Sequence, residues 1–256
     1  MAISVPILVY HRVHADDEVT VANDFGRVNL SEFQRQMQYL QQSGISVVTH
    51  REIADWLLEG TDLPARTVAI DFDDNRLNVL ENAYPVMREY GFCGTVFVIT
   101  DLAESKQVFG PDDYPAMTWQ HLAQLRDAGW CVAPHTRRHL WLAGPQRAPK
   151  DDSEAWDEMA QSKQILEQRL GMPSPFFAYP SGSCNVAVET MARQLFRTAR
   201  LWHTAVDGPW PMNGKETNPH RLIGINISLG LPFERFCEII DNAGKSHAKP
   251  QRRKGK

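Results

Sequence analysis

Strand-length apolar runs alternate with helix-length amphipathic segments along nearly all of this 256-residue chain. β-Branched or apolar runs fall at 4–10, 45–48, 67–73, 95–100, 130–134, 176–179, 198–202 and 222–227. Between them, a helix from about Ser31 carries Phe33, Met37 and Leu40 on one face and stops at Gly44. Thr49 and Glu52 predict a capping box for a helix that runs to Gly60. Further helices are expected from Leu77 to Tyr90, from the Thr118 cap to Gly129, and from Asp151 to Leu170. Strands separated by helices need crossover connections, and crossovers give a mainly parallel sheet. About eight strands without a linker or a break in composition favour one closed or nearly closed (β/α) barrel over two domains. Residues 1–242 are therefore expected to form a single domain.

Charge bears on the partners. A net charge of -4 gives no reason to expect nucleic acid. After Asp241 no acidic residue occurs, while Lys245, Lys249, Arg252, Arg253, Lys254 and Lys256 follow one another. Residues 243–256 are expected to be a disordered basic tail, or a weak contact with an anionic membrane face or lipid-linked substrate. The four cysteines form no C-x-x-C pair, which predicts reduced thiols rather than a disulfide framework. The opening MAISVPILVYHRV has no basic segment ahead of a long apolar run. Neither a signal peptide nor a transmembrane segment is expected, and the predicted location is cytoplasmic.

Active sites of such barrels sit at the C-terminal ends of the strands. Four strand ends carry polar residues: Tyr10-His11-Arg12, Asp71-Phe72-Asp73-Asp74-Asn75, His135-Thr136-Arg137-Arg138-His139 and Ala178-Tyr179-Pro180-Ser181-Gly182. Adjacent aspartates repel unless something positive lies beside them, and a divalent metal meets that need. Where a strand ends the backbone turns, so one carboxylate can bind metal while the other faces water. His135 and His139 are four apart, close enough for both imidazoles to share one side of a turn. Each piece alone is weak: paired aspartates also cap helices, and an isolated H-x-x-x-H is a common accident. Their joint placement along one rim is what points to a metal-dependent hydrolase.

Together with Pro6-Ile7-Leu8-Val9, Gly94-Thr95-Val96-Phe97-Val98 and Met117-Thr118-Trp119, these motifs resemble the polysaccharide deacetylase family, carbohydrate esterase family four. The resemblance covers nearly the whole chain. It implies a distorted barrel of parallel strands and removal of an N-acyl group from an amino sugar or glycan precursor. It also implies Asp73 as general base, Asp74, His135 and His139 as ligands of one divalent metal (zinc first, cobalt or nickel as alternatives), and the Ser181 N–H as an oxyanion donor. Tyr10, Tyr179 and Pro180 are expected to touch substrate.

Three departures qualify the match. The family's Thr-Phe-Asp-Asp-Gly reads Asp71-Phe72-Asp73-Asp74-Asn75 here, and Asn tolerates a left-handed turn whereas Asp71 adds a carboxylate behind Asp73. Many members place a base-orienting arginine where this chain has Ala178, and Arg12 is the candidate replacement. The family's leucine-x-histidine acid is missing from 222–227, which leaves His11 first and His203 second as candidate proton donors. A cyclic-amide hydrolase, an aspartyl-phosphate phosphatase and a non-catalytic carbohydrate-binding barrel are the competing readings.

Overall fold

The computed structural model describes residues 3–16, 26–103, 115–203, 209–228 and 230–244. Eight strands form one sheet: β1 (Ile7–Tyr10), β4 (Ser46–Val48), β5 (Thr67–Asp73), β6 (Thr95–Val98), β7 (Cys131–Pro134), β8 (Phe176–Ala178), β9 (Thr198–His203) and β10 (Leu222–Asn226). Their order is β7-β6-β5-β1-β10-β9-β8, every pairing is parallel, and β7 and β8 are the two edges of a nearly closed barrel. β4 runs beside the first half of β5, from Ser46 opposite Thr67, and β6 beside the second, from Asp71 opposite Thr95. A separate ribbon joins β2 (Arg12–His14) to β3 (Arg27–Asn29).

The helices are α1 (Leu30–Gln42), α2 (His50–Glu59), α3 (Tyr84–Glu89, entered through a π-turn at Val79–Ala83), α4 (Trp119–Asp127), α5 (Asp152–Leu170), α6 (Val186–Leu195) and α7 (Phe233–Asp241). The expected caps are present. Thr49 and Glu52 make the capping box of α2, which ends at Gly60 with φ 80°. Asp151 accepts from the Glu154 N–H, and Gly171 closes α5 at φ 65°. Among the described residues, no helix is long and apolar enough to cross a membrane. The folded part reaches two residues beyond the expected boundary, because Ala243 is buried and the Gly244 N–H donates to the Ser4 carbonyl. Residues 245–256, the rest of the tail expected at 243–256, lie outside the described residues.

Side chains alternate between two packed layers. Leu8, Val68, Ile70, Phe72 and Val96 face the helices and form the main core with Phe33, Met37, Leu40, Leu122 and Leu166. The opposite faces line the barrel: Ile7, Val9, Ala69 and Leu222 pack with Ile53 and Trp56 of α2, and Phe97, Cys131, Ala133, Phe176 and Ala178 with Ala54 of α2. α2 thus plugs the barrel from within.

One glycine makes room for the charged centre above this plug. A Cβ on Gly224 would stand 2.4 Å from Val9 Cγ2 and 3.1 Å from Arg200 Cδ. Gly224→Ala should therefore lower unfolding free energy by roughly 1–3 kcal/mol, the usual cost of overpacking. Urea unfolding reads this directly, and an unchanged midpoint would show that the interior has slack.

Candidate active site and metal centre

The chain ends of β5, β7 and β8 leave the sheet through strained turns. Among the described residues six non-glycine residues have positive φ, and five of them are Asp74 (73°), Asn75 (42°), Thr136 (63°), His139 (60°) and Ser181 (54°). Such strain persists only where the surroundings impose it, and it collects at functional sites. Asn75 takes the left-handed turn that its residue type allows, and its Oδ1 accepts from the Ile99 N–H at 3.0 Å. That turn swings Asp74 away from Asp73, which separates two adjacent carboxylates. The loop between the histidines is held from α5. Buried Glu158 accepts from the Arg138 N–H at 2.8 Å and from Arg138 Nε at 2.7 Å, while its carbonyl accepts from the Arg137 N–H at 3.1 Å.

These turns bring Asp74, His135 and His139 together, all buried, with donor atoms within 4.8 Å of one another. Asp74 Oδ1 lies 3.6 Å from His135 Nε2 and 3.4 Å from His139 Nε2. His135 Nδ1 donates to the Ala178 carbonyl at 2.8 Å, which fixes the tautomer and turns the Nε2 lone pair toward the cluster. Burial lowers both imidazoles, His135 to about 4 and His139 to about 3, so both are neutral at pH 7. Burial would raise the Asp74 carboxyl, but His139, His11, His135 and Arg76 outweigh it and hold the group ionised. Two neutral imidazoles and a buried carboxylate oxygen without a hydrogen-bond partner are a donor set that fits a divalent cation.

Asp73 stands beside this cluster, fully buried. Its Oδ1 accepts from Arg200 Nη2, and its Oδ2 has no hydrogen-bond partner. Burial raises its carboxyl above the ordinary value; Arg200 and His11 oppose that, whereas Asp74 and Asp71 add to it. Asp71 shares the inward face, as expected. Its Oδ2 lies 2.8 Å from Arg200 Nε and accepts from His50 Nε2 at 2.9 Å. The guanidinium also sits over the Phe97 ring, 4.9 Å from its centroid.

Four of the expected residues are placed otherwise than the sequence reading put them. The cation between the carboxylates is Arg200 of β9, not Arg12, which lies in the β2–β3 ribbon and whose N–H donates to the Gly26 carbonyl. Tyr10 does not face substrate: it is fully buried on the outer face of β1, packed against Phe33 and Phe72, with its hydroxyl donating to Gln36 at 2.8 Å. Tyr179 is likewise buried, and its hydroxyl donates to the His220 carbonyl at 3.2 Å. Pro180 is buried too and shapes its turn, where the Gly182 N–H donates to the Tyr179 carbonyl and the Ser183 N–H to the Pro180 carbonyl. His11 does reach the site. It is half-buried, its ring meets the Trp202 ring at 6.1 Å, and both Asp73 and Asp74 act on its charge. His203 is exposed at the end of β9. Arg200 and His50 escaped the sequence reading: one lies inside an apolar strand, the other is the first residue of a capped helix.

A family model for polysaccharide deacetylases matches residues 60–199. The polysaccharide deacetylase-like protein YxkH of Bacillus subtilis is 27% identical over 182 residues, covering 70% of this chain and 57% of the relative. A poly-β-1,6-N-acetyl-D-glucosamine N-deacetylase of Staphylococcus epidermidis is 27% identical over 194 residues, covering 70% of this chain and 65% of the relative. The chain thus spans less than two thirds of the length of these curated relatives. In fold it is similar to the Streptococcus pyogenes deacetylase PplD in complex with acetate, with a TM-score of 0.79 at 23% identity over 94% of this chain and 99% of that one.

Metal uptake should show how deeply the imidazoles are buried. Ligands must shed their protons to bind metal, so zinc uptake should stay level from about pH 7 to about pH 5. It should fall as the pH approaches about 4, where His135 takes up a proton. A transition centred near 6.5 would mean solvated histidines, and His135→Ala retaining stoichiometric zinc would remove the assignment.

Proposed function

Since the chain belongs to the polysaccharide deacetylase family, we propose that it hydrolyses N-acetyl groups of an N-acetylglucosamine polymer, with zinc held by Asp74, His135 and His139. The observation that carries this reading is the buried Asp-His-His cluster next to a carboxylate with one free oxygen. The names of the relatives, among them a poly-β-1,6-N-acetyl-D-glucosamine N-deacetylase, support the substrate class. All three candidate ligands and the candidate base are in place, which weighs against a binding-only barrel.

When bound, a divalent cation polarises a carbonyl and makes water more acidic. Asp73 then takes the proton of the attacking water on Oδ2, while Arg200 fixes the other oxygen. A raised carboxyl pKa suits this role, because the protonated acid it becomes can also return the proton. The Ser181 N–H, in a turn pinned at Gly182 and Ser183, is the proposed donor to the tetrahedral oxyanion. His11 is less suited to store a proton. Burial lowers its pKa against the pull of both carboxylates, so it enters the cycle neutral. The departing amine accordingly receives its proton from Asp73, and His11 serves as a neutral hydrogen-bonding neighbour.

Acetate release from β-1,6-linked and β-1,4-linked N-acetylglucosamine oligomers by the zinc-loaded protein tests the activity. Release from neither would overturn the substrate class. Asp73→Asn should keep zinc and lose about 10²–10⁴-fold in rate. His11→Gln, which retains a donor at the Nε2 position, should lose far less. A loss as deep as that of Asp73→Asn would restore His11 as the acid.

A further inference from the structure

His50 belongs to none of the four strand-end motifs, yet it is bound into the charged centre. It is fully buried at the first turn of α2, the helix that plugs the barrel. Its backbone N–H donates to Thr95 Oγ1 at 3.3 Å, and Thr95 stands opposite Asp71 in the β5–β6 register. Its ring meets Phe97 edge to face at 5.2 Å, and Phe97 is also the ring beneath the Arg200 guanidinium. Its Nε2 donates to Asp71 Oδ2, the same oxygen that Arg200 Nε reaches.

The geometry points to His50 as a positioning residue for the general base, acting through Asp71 and Arg200; this rests on Asp73 being that base. Two forces compete for Arg200. Asp71 and Asp73 lie two residues apart on one strand face, and both draw on one guanidinium. If Asp71 could swing, the guanidinium would follow it, and Asp73 would lose the contact that fixes Oδ1 and leaves Oδ2 toward the site. The His50 donor removes that freedom, and the Thr95 contact holds His50 itself in place. Buried partners that orient a reactive group typically contribute about 10–100-fold to activity when removed. The plug helix thereby does more than fill space, because it carries one end of a chain of contacts: a hydrogen bond from His50 to Asp71, an ion pair from Asp71 to Arg200, and a hydrogen bond from Arg200 to Asp73.

The test compares the zinc-loaded full chain with His50→Leu, His50→Gln and Asp73→Asn, using acetate release from a β-1,6-linked N-acetylglucosamine pentamer. Gln presents an N–H where His has Nε2; Leu fills similar space without a donor. We expect His50→Leu to lower kcat about 10–100-fold with KM and zinc content unchanged, and His50→Gln to restore most of the loss. A purely structural role would not separate kcat from KM or distinguish Gln from Leu. Should His50→Leu not fold, His50→Asn replaces it, because its shorter amide cannot reach Asp71. Crystal structures give a reading without turnover: Arg200 should bridge both carboxylates in the wild type and His50→Gln, and lose Asp73 in His50→Leu. Wild-type kcat in His50→Leu, equal impairment of Gln and Leu, or an undisturbed Arg200–Asp73 pair would overturn the proposal. If Asp73→Asn stays active, the assignment of the base has failed instead.

Discussion

A guanidinium buried at the centre of a barrel is the constraint around which this structure is arranged. Arg200 is fully buried, and an isolated charge there would cost several kcal/mol even after relaxation. Two carboxylates on β5 and one aromatic face offset that cost. The arrangement is sensitive to loss of any member, since breaking a buried pair leaves an uncompensated charge and typically costs roughly 3–5 kcal/mol. It also demands space. Gly224 has no Cβ where the arginine stem crosses, and Ala178 is small at the strand position opposite Arg200.

The same centre separates two kinds of carboxylate within a single step along the chain. Asp73 ends the strand, still in the interior and raised by burial, while Asp74 begins a left-handed turn and faces two imidazoles that keep it ionised. Neighbours in sequence therefore acquire opposite chemistry, one suited to moving a proton and the other to binding a cation. The strain in the turns is held by contacts beneath them: the Asn75 amide on Ile99, the Glu158 carboxylate under the histidine loop and the Ala178 carbonyl on His135. Rigidity at the rim thus derives from helix α5 and from strands on both sides of the open seam.

Much of this was legible in the sequence. Strand and helix alternation predicted the parallel barrel, the Thr49–Glu52 and Thr118 caps appear where read, and Asn75 adopts the left-handed turn its side chain tolerates. The motif residues Asp74, His135 and His139 converge because each ends a neighbouring part of one sheet. What failed was the choice of face. In a parallel barrel both faces of a strand are buried, so hydrophobicity does not mark which residues point inward. Tyr10 and His11 are adjacent; one packs beneath α1 and the other reaches the site. Arg200 was hidden for the same reason, since nothing in Thr198-Ala199-Arg200-Leu201-Trp202 reveals that the arginine shares the face of Asp71 and Asp73.

Two of the departures from the family pattern, Asp71 and Ala178, become a single change when seen in register. Ala178 of β8 and Arg200 of β9 are direct partners, so the guanidinium that the pattern would place on one strand rises from its neighbour at the same height. Arriving from β9, the arginine meets β5 across the interior through two of its nitrogens, Nε on Asp71 and Nη2 on Asp73. A threonine at position 71 would leave Nε without a carboxylate, which gives Asp71 a reason to accompany Arg200. The same Asp71 oxygen also accepts from His50, and the arginine stem needs the space left by Gly224. Five positions on four strands and the plug helix are thereby linked to one requirement, a cation held against Oδ1 of Asp73. Moving the arginine back to β8 alone would leave Asp71 facing His50 without its countercharge. The residues at 50, 71, 178, 200 and 224 therefore form one physical unit, and the effects of substitutions among them should not be additive.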